Sequence, residues 1–168
     1  PPVVTSAVGE IFPTQVEASV LTDFTYAVRA RIEPGQSGFD ALRLRSNALI
    51  DTITDVRIDR GDVAYDVDRD SLGMLIRFQR IVQDQSLLEV DFGARVFRYG
   101  TPFDGALVDT ESDEVPLLVN AGDAIAETLS DELTVRTGLK GAILPDLTVS
   151  PNPFSPNDDG FNDQVTLS

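Results

Sequence analysis

Asn157, Asp159 and Asp163 set oxygen-bearing side chains at alternate positions around Gly160, with the carbonyl of Phe161 between them. Calcium takes about six to eight oxygen ligands, and EF-type loops supply them at alternate positions around a glycine that permits a sharp turn. The spacing therefore names calcium as the candidate cofactor and Asn157, Asp159, Phe161 and Asp163 as its ligands. No glutamate follows to close a full EF loop, so further ligands have to come from elsewhere. The competing reading is an Asx-rich turn, because Asn, Asp and Gly form turns by themselves.

A second acidic group comprises Asp59, Asp62, Asp66, Asp68 and Asp70. Gly73 lies too far on for an EF-like turn, so the expectation is an edge strand with a solvated carboxylate face that discourages pairing, Arg60 and Arg69 neutralising it. Tyr99-Gly100-Thr101-Pro102-Phe103-Asp104-Gly105 reads as an aromatic turn plugging the end of a core; the alternative is a glycan platform built on Tyr99 and Phe103. Asp109, Glu111, Asp113 and Glu114 read as a solvated loop.

The chain has no cysteine and no histidine, which excludes disulfides, thiolate chemistry and imidazole catalysis. Paired carboxylates, as in glycoside hydrolysis, are the machinery that remains, and nothing marks any pair as buried in a cleft. No nucleophile elbow, phosphate loop or dinucleotide fingerprint occurs. The expectation is a protein that is not an enzyme. With 28 acidic against 13 basic residues the formal charge is −15, which repels nucleic acid and anionic membranes and attracts divalent cations. No apolar run is long enough to span a bilayer.

The elements that must position these groups are strands. Phe24, Tyr26, Val28, Ala30 and Ile32 alternate with Thr25, Ala27, Arg29, Arg31 and Glu33, and Pro34-Gly35-Gln36-Ser37-Gly38 ends the run. Further strands are expected from Phe39 to Ser46, Leu49 to Asp59 (through Ile53, Val56 and Ile58), Gly73 to Phe78, Leu87 to Phe97, Glu132 to Thr137 and Ala142 to Val149. Ala121 to Asp131 is expected as a loop with one short turn. Many short alternating strands with Gly, Pro and Asp turns predict an all-β fold, an antiparallel β-sandwich of immunoglobulin-like or cohesin-like type. The run from Phe24 to Ile32 followed by Gly35, Gly38-Phe39-Asp40 and Leu42-Leu44 loosely resembles the front half of cohesin-like surface sandwiches.

Pro145, Pro151, Pro153 and Pro156 make a stiff connector rather than a strand or helix. Residues 1–15 are expected as a linker or edge strand, 16–149 as the sandwich, and 150–168 as a proline-rich extension with an acidic loop and a strand, Gln164 to Ser168. The opening Pro1-Pro2-Val3-Val4, without methionine, suggests a processed or excised piece. Ser150-Pro151-Asn152-Pro153-Phe154-Ser155-Pro156-Asn157-Asp158-Asp159-Gly160-Phe161-Asn162-Asp163 resembles the segment opening the immunoglobulin-like C-terminal domains of bacterial surface and secreted proteins. Those are the gliding-motility-associated and flagellar-hook-capping-like modules. The resemblance implies an extracellular or cell-surface location and a non-catalytic structural or adhesive role. It also makes Gln164 to Ser168 the first strand of a following module. Expected partners are neighbouring modules or other copies of the chain; the last strand is read first as the start of a truncated module, the alternative being that it adds to a sheet edge of another copy and builds a filament.

Overall fold

Alternating side chains put one face of each strand toward a shared interior, and two sheets result. A computed structural model of the protein describes residues 6–113, 115–125, 130 and 132–138. Among these, thirteen strands form and no helix. The first sheet runs in the order Asn120–Ala121 (β12), Ser6–Phe12 (β1), Thr22–Arg31 (β3), Leu87–Arg95 (β9), Leu49–Ile58 (β5) and Gly61–Asp62 (β6). The second runs Gln15–Val16 (β2), Thr134–Thr137 (β13), Gly100–Val108 (β10), Phe39–Ser46 (β4), Gly73–Ile81 (β8) and Tyr65–Asp70 (β7), with Leu117–Leu118 (β11) also on β10. Neighbours pair antiparallel except β1 with β12 and β2 with β13, which are parallel. The fold is a β-sandwich, as the alternation predicts.

The interior is apolar and aromatic. Phe24, Phe92 and Phe103 meet with ring centroids 5.6–5.8 Å apart, and Phe39 stands edge-on to Phe78 at 6.0 Å. Removing any one of these rings leaves a cavity costing about 3–5 kcal/mol. Tyr26, fully buried on the first sheet, reaches across to donate its hydroxyl to the Phe103 carbonyl at 3.2 Å. A side chain at Gly105 would run into that tyrosine ring, so glycine is what lets the ring lie against β10. Burial, and then Asp104 nearby, pushes the Tyr26 hydroxyl's pKa well above the usual tyrosine range.

Three departures from simple alternation shape the sheets. Along β5 the inward residues are Ile50, Ile53 and Val56, spaced by three, with Ile58 only half-buried. Register shifts against β9 between Ile50 and Ile53, and again before Asp55, supply the extra residues; these are β-bulges. The central strand β9 is buried on both faces, so Leu87 and Glu89 are shielded along with Leu88 and Val90. The outer cover comes from Ala124 and Ile125, which pack with Phe12, Ala27 and Leu87. Finally, β1 lies inside the first sheet, between β3 and β12, and after the cis Phe12–Pro13 bond the chain crosses to the second sheet as β2.

The connections fall at two poles. Ser6 lies opposite Arg31, so the chain comes in at the pole holding the β3–β4 and β8–β9 loops. Thr137 lies beside Val16, and Gly100 opposite Arg136, so β13 ends at the opposite pole, with the β4–β5 and β7–β8 turns and the β9–β10 loop. The two ends of the described fold are therefore at opposite ends of the sandwich.

Candidate functional site

Two kinds of group are candidates for function: the charged side chains that sequence singled out, and the backbone where β2 pairs with β13. The calcium ligands Asn157, Asp159, Phe161 and Asp163 lie outside the described residues, as do the proline-rich connector, the strand expected from Ala142 to Val149 and the strand expected from Gln164 to Ser168. Among the described residues no three acidic side chains come together in a way that would hold a metal ion.

Asp66, Asp68 and Asp70 lie on β7, the outermost strand of the second sheet, with all three exposed. Their neutralising partners differ from those expected. Arg77 pairs with Asp68, and Arg43 bonds Asp70 at 3.0 and 3.2 Å. The Leu72 amide, followed by Arg43, draws the Asp70 pKa below its usual value. Arg69 turns the other way and donates to the carbonyls of Ile50 and Asp51, while Asp59 accepts from Ser86 Oγ and the Leu87 amide, acting as a local tie rather than part of the acidic face.

Two expectations are corrected. Residues from Gly100 onward form β10 rather than a turn, and Phe103 is fully buried in the aromatic cluster because its side chain falls on the inward phase of that strand. Tyr99 is exposed, so the proposed aromatic pair does not share a surface. Asp109 is not solvated. It is 5% exposed and holds Arg80 Nη2 at 2.6 Å, the Glu111 amide at 3.0 Å and Ser37 Oγ at 3.2 Å. The Arg80 guanidinium holds the Asp109 carboxyl down at about 2, and Asp40 completes the knot by accepting from the amide and hydroxyl of Thr110.

Two buried carboxylates escaped notice in the sequence. Glu10, Ala27, Glu89 and Arg57 are successive neighbours across the outer face of the first sheet. Glu10 Oε2 accepts the amides of Ala124 and Ile125 at 2.6 and 2.7 Å and so fastens that covering segment. Arg57 faces Asp91 at 2.6 Å, Asp55 at 2.9 Å and Glu89 at 3.5 Å. Those carboxylates, Asp91 first, raise the Arg57 pKa further; burial would raise the Asp91 pKa, but bonds from Arg57 and Thr25 bring it below the usual value. Among the described residues Glu89 Oε1 has no hydrogen-bond partner. The segment that covers Glu10, more than a hundred residues on in sequence, leaves no trace in local alternation.

At the edge of the second sheet, β2 and β13 run side by side. The Arg136 amide donates to the Thr14 carbonyl at 2.7 Å and the Gly138 amide to the Val16 carbonyl at 2.9 Å. On its other side β13 is pinned to β10, with the Thr137 amide on the Tyr99 carbonyl at 3.1 Å and the Phe103 amide on the Leu133 carbonyl at 2.8 Å. Upstream, β1 contributes a seven-residue ladder to β3, from Ser6↔Arg31 to Phe12↔Thr25.

What these features define as a class is a β-sandwich with its ends at opposite poles. No family model matches the chain, and no curated protein matches it. Among solved structures it is similar to the full-length major pilin SpaD from Corynebacterium diphtheriae, at 11% identity and a TM-score of 0.47, covering 68% of this chain and 33% of that one. It is also similar to a cohesin module from a Clostridium perfringens family 33 glycoside hydrolase, at 8% identity and a TM-score of 0.44, covering 80% and 97%. The major pilin SpaA from C. diphtheriae follows at 10% identity and 0.42, covering 79% and 37%. The chain thus spans about a third of the length of the two pilins. At such identities and scores nothing about its activity follows. Among the described residues no helix is long and apolar enough to cross a membrane.

Proposed function

We propose that this chain is a non-catalytic structural module that carries tension in an extracellular or cell-surface assembly of bacterial type. The observation that carries the reading is the parallel pairing of β2 with β13 between ends at opposite poles. Tension pulls β2 back toward Ser6 and β13 forward past Thr137, so the two strands are loaded in opposite directions along their shared axis. Their hydrogen bonds are strained together rather than one after another. The β1–β3 ladder is loaded along its axis in the same way. A compact hairpin at a chain end would instead unzip.

The test is single-molecule extension between the two ends of the described fold. The native chain is expected to resist to a high force, and Arg136→Pro, which removes the amide bonded to Thr14, to yield at a lower one. Equal forces from the two would contradict the reading.

Calcium at Asn157, Asp159, Phe161 and Asp163 belongs to the same proposal, as a mechanical stiffener of the proline-rich extension. Calorimetric titration of the native chain against Asp159→Ala tests it, with heat expected only from the former. The glycan reading loses one of its two aromatics, since Phe103 is core.

A further inference from the structure

The chain that follows β11 runs beside the start of the chain twice, once in each sheet. In the second sheet it is β13 on β2. In the first it is β12 on β1, again parallel, with Val8 beside Asn120, Gly9 beside Ala121 and the Gly122 amide on the Gly9 carbonyl at 2.9 Å. Between these pairs the Ser130 hydroxyl donates to the Ile11 carbonyl, and the Ile11 amide to the Glu132 carbonyl, both at 2.8 Å. Just after β12 lies a peptide whose two polar ends are both gripped by ionised side chains. The Ala124 amide donates to Glu10 at 2.6 Å, and the Ala124 carbonyl accepts from Arg29 Nε at 2.7 Å. Arg29 also donates to the Gln85 carbonyl at 2.7 Å, and the Ile125 amide to Glu10 at 2.7 Å. Hydrogen bonds to ionised groups are the strong ones, and these hold two buried residues packed against Phe12, Ala27 and Leu87.

The two grips are joined by more chain than their separation requires. Glu10 and Ile11 are consecutive on β1, whereas Ile125 and Ser130, which they hold, are five residues apart. A pull on β13 is therefore not passed to Ala124 while β13 stays in place. The strand β13 has four residues, against the seven-residue ladder that fastens β1 to β3, so under tension β13 yields first. It belongs to the second sheet, and its departure leaves β12, β1, β3, β9, β5 and β6 paired. Load then reaches Ile125 and draws it toward the C-terminal pole, while Ser6 draws β1 the other way. Because β12 and β1 are parallel, they too are sheared rather than unzipped.

Resting on the reading of this chain as a tension-bearing module, we propose that the Ala124 peptide, held by Glu10 and Arg29, is a second catch that stops the chain after the β2–β13 clamp has given way. When β13 leaves, the stretch from Ile125 to Gly138 pulls straight and extension halts at Ala124, before the sandwich opens. The step is shorter than about 45 Å, the taut length of that stretch. The module so yields by a limited amount under a peak load and keeps its aromatic core closed. Glu10 and Arg29 bear load in this second stage and none in the first.

Single-molecule extension of the full chain between Ser6 and Gly138 is the test, read event by event. The native chain is expected to give two force events separated by one short step. Glu10→Ala and, separately, Arg29→Met are each expected to lose the second event and leave the first at its native force. A merely structural loss of stability would weaken the first event as well. Arg136→Pro is expected to lower the first event and leave the second. Circular dichroism verifies folding, and should Glu10→Ala fail to fold, Arg29→Met, which keeps most of its apolar stem and loses the bonds to Ala124 and Gln85, carries the test. A native chain that opens in one event, or a second event that survives both substitutions, overturns the proposal. A high first event with no second would reject the catch and leave the load-bearing reading standing. A weak first event followed by a second that depends on Glu10 and Arg29 would reject the β2–β13 clamp and leave the catch.

Discussion

The outer faces of the two sheets begin from the same kind of sequence and end in opposite environments. On the second sheet, Asp66, Asp68 and Asp70 alternate along an edge strand, stay in water and find arginines at the surface. On the first, Glu10 and Glu89 occupy equivalent outward phases, yet both are nearly inaccessible: Ala124 and Ile125 bond Glu10, and Glu89 lies against Arg57 and Arg60. An exposed ion pair is worth little in water, whereas a charge shielded from water must be matched by hydrogen bonds or counter-charge. Position in an alternating pattern assigns a face; what covers that face decides the energetics.

Substitutions on the two faces should therefore differ in size. Arg57→Ala is expected to have the largest effect, about 3–5 kcal/mol in chemical denaturation, since it takes from Asp55 and Asp91 their shared cation and leaves the buried Glu89 with Arg60 at 3.8 Å. Glu10→Ala follows at roughly 2–4 kcal/mol, because the amides of Ala124 and Ile125 lose their shared acceptor in a buried site. Hydrogen exchange should show that loss first at those two amides. Asp109→Asn is expected to cost about 1.5–3 kcal/mol at neutral pH.

Asp109 also has a signature in acid. Its pKa is held at about 2 in the folded chain against an ordinary 3.8, so its contribution is complete above the ordinary value and lost as pH falls from there through about 2. The thermal midpoint of the native chain should drop across that window, and Asp109→Asn should flatten that part of the drop. Asp68→Asn stands at the other end of the scale, within about 0.5 kcal/mol of native, because its pair with Arg77 is on the surface. An Asp68 effect as large as that of Glu10 would remove the distinction between the faces.

The sequence shows the long strands clearly, because β3, β4, β8 and β9 each carry enough alternating residues to define a phase. It hides β2, β6, β11 and β12, which are two residues long and exist through their partners alone. It also hides the bulges of β5, where a spacing of three between Ile50, Ile53 and Val56 matches no single period. Glu10 and Asp109 fall in the same class: their partners lie on segments distant in sequence, so each reads locally as a solvated acid. Phe103 reads as part of a turn because Gly100, Pro102 and Gly105 punctuate a stretch that the sheet nevertheless accommodates.

The central claim, that β2 and β13 form a clamp loaded in shear, is tested most directly by changing only the direction of pull. The chain has no cysteine, so introduced pairs define the attachment points without ambiguity. One pair, Ser6→Cys with Gly138→Cys, loads the terminal strands along their length. The other, Ala64→Cys with Gln79→Cys, opens the β7–β8 hairpin from its free end, where Tyr65 lies opposite Phe78. The account predicts that the first geometry yields at a clearly higher force than the second in the same folded protein. Equal forces, or an easier rupture through the termini, would contradict it.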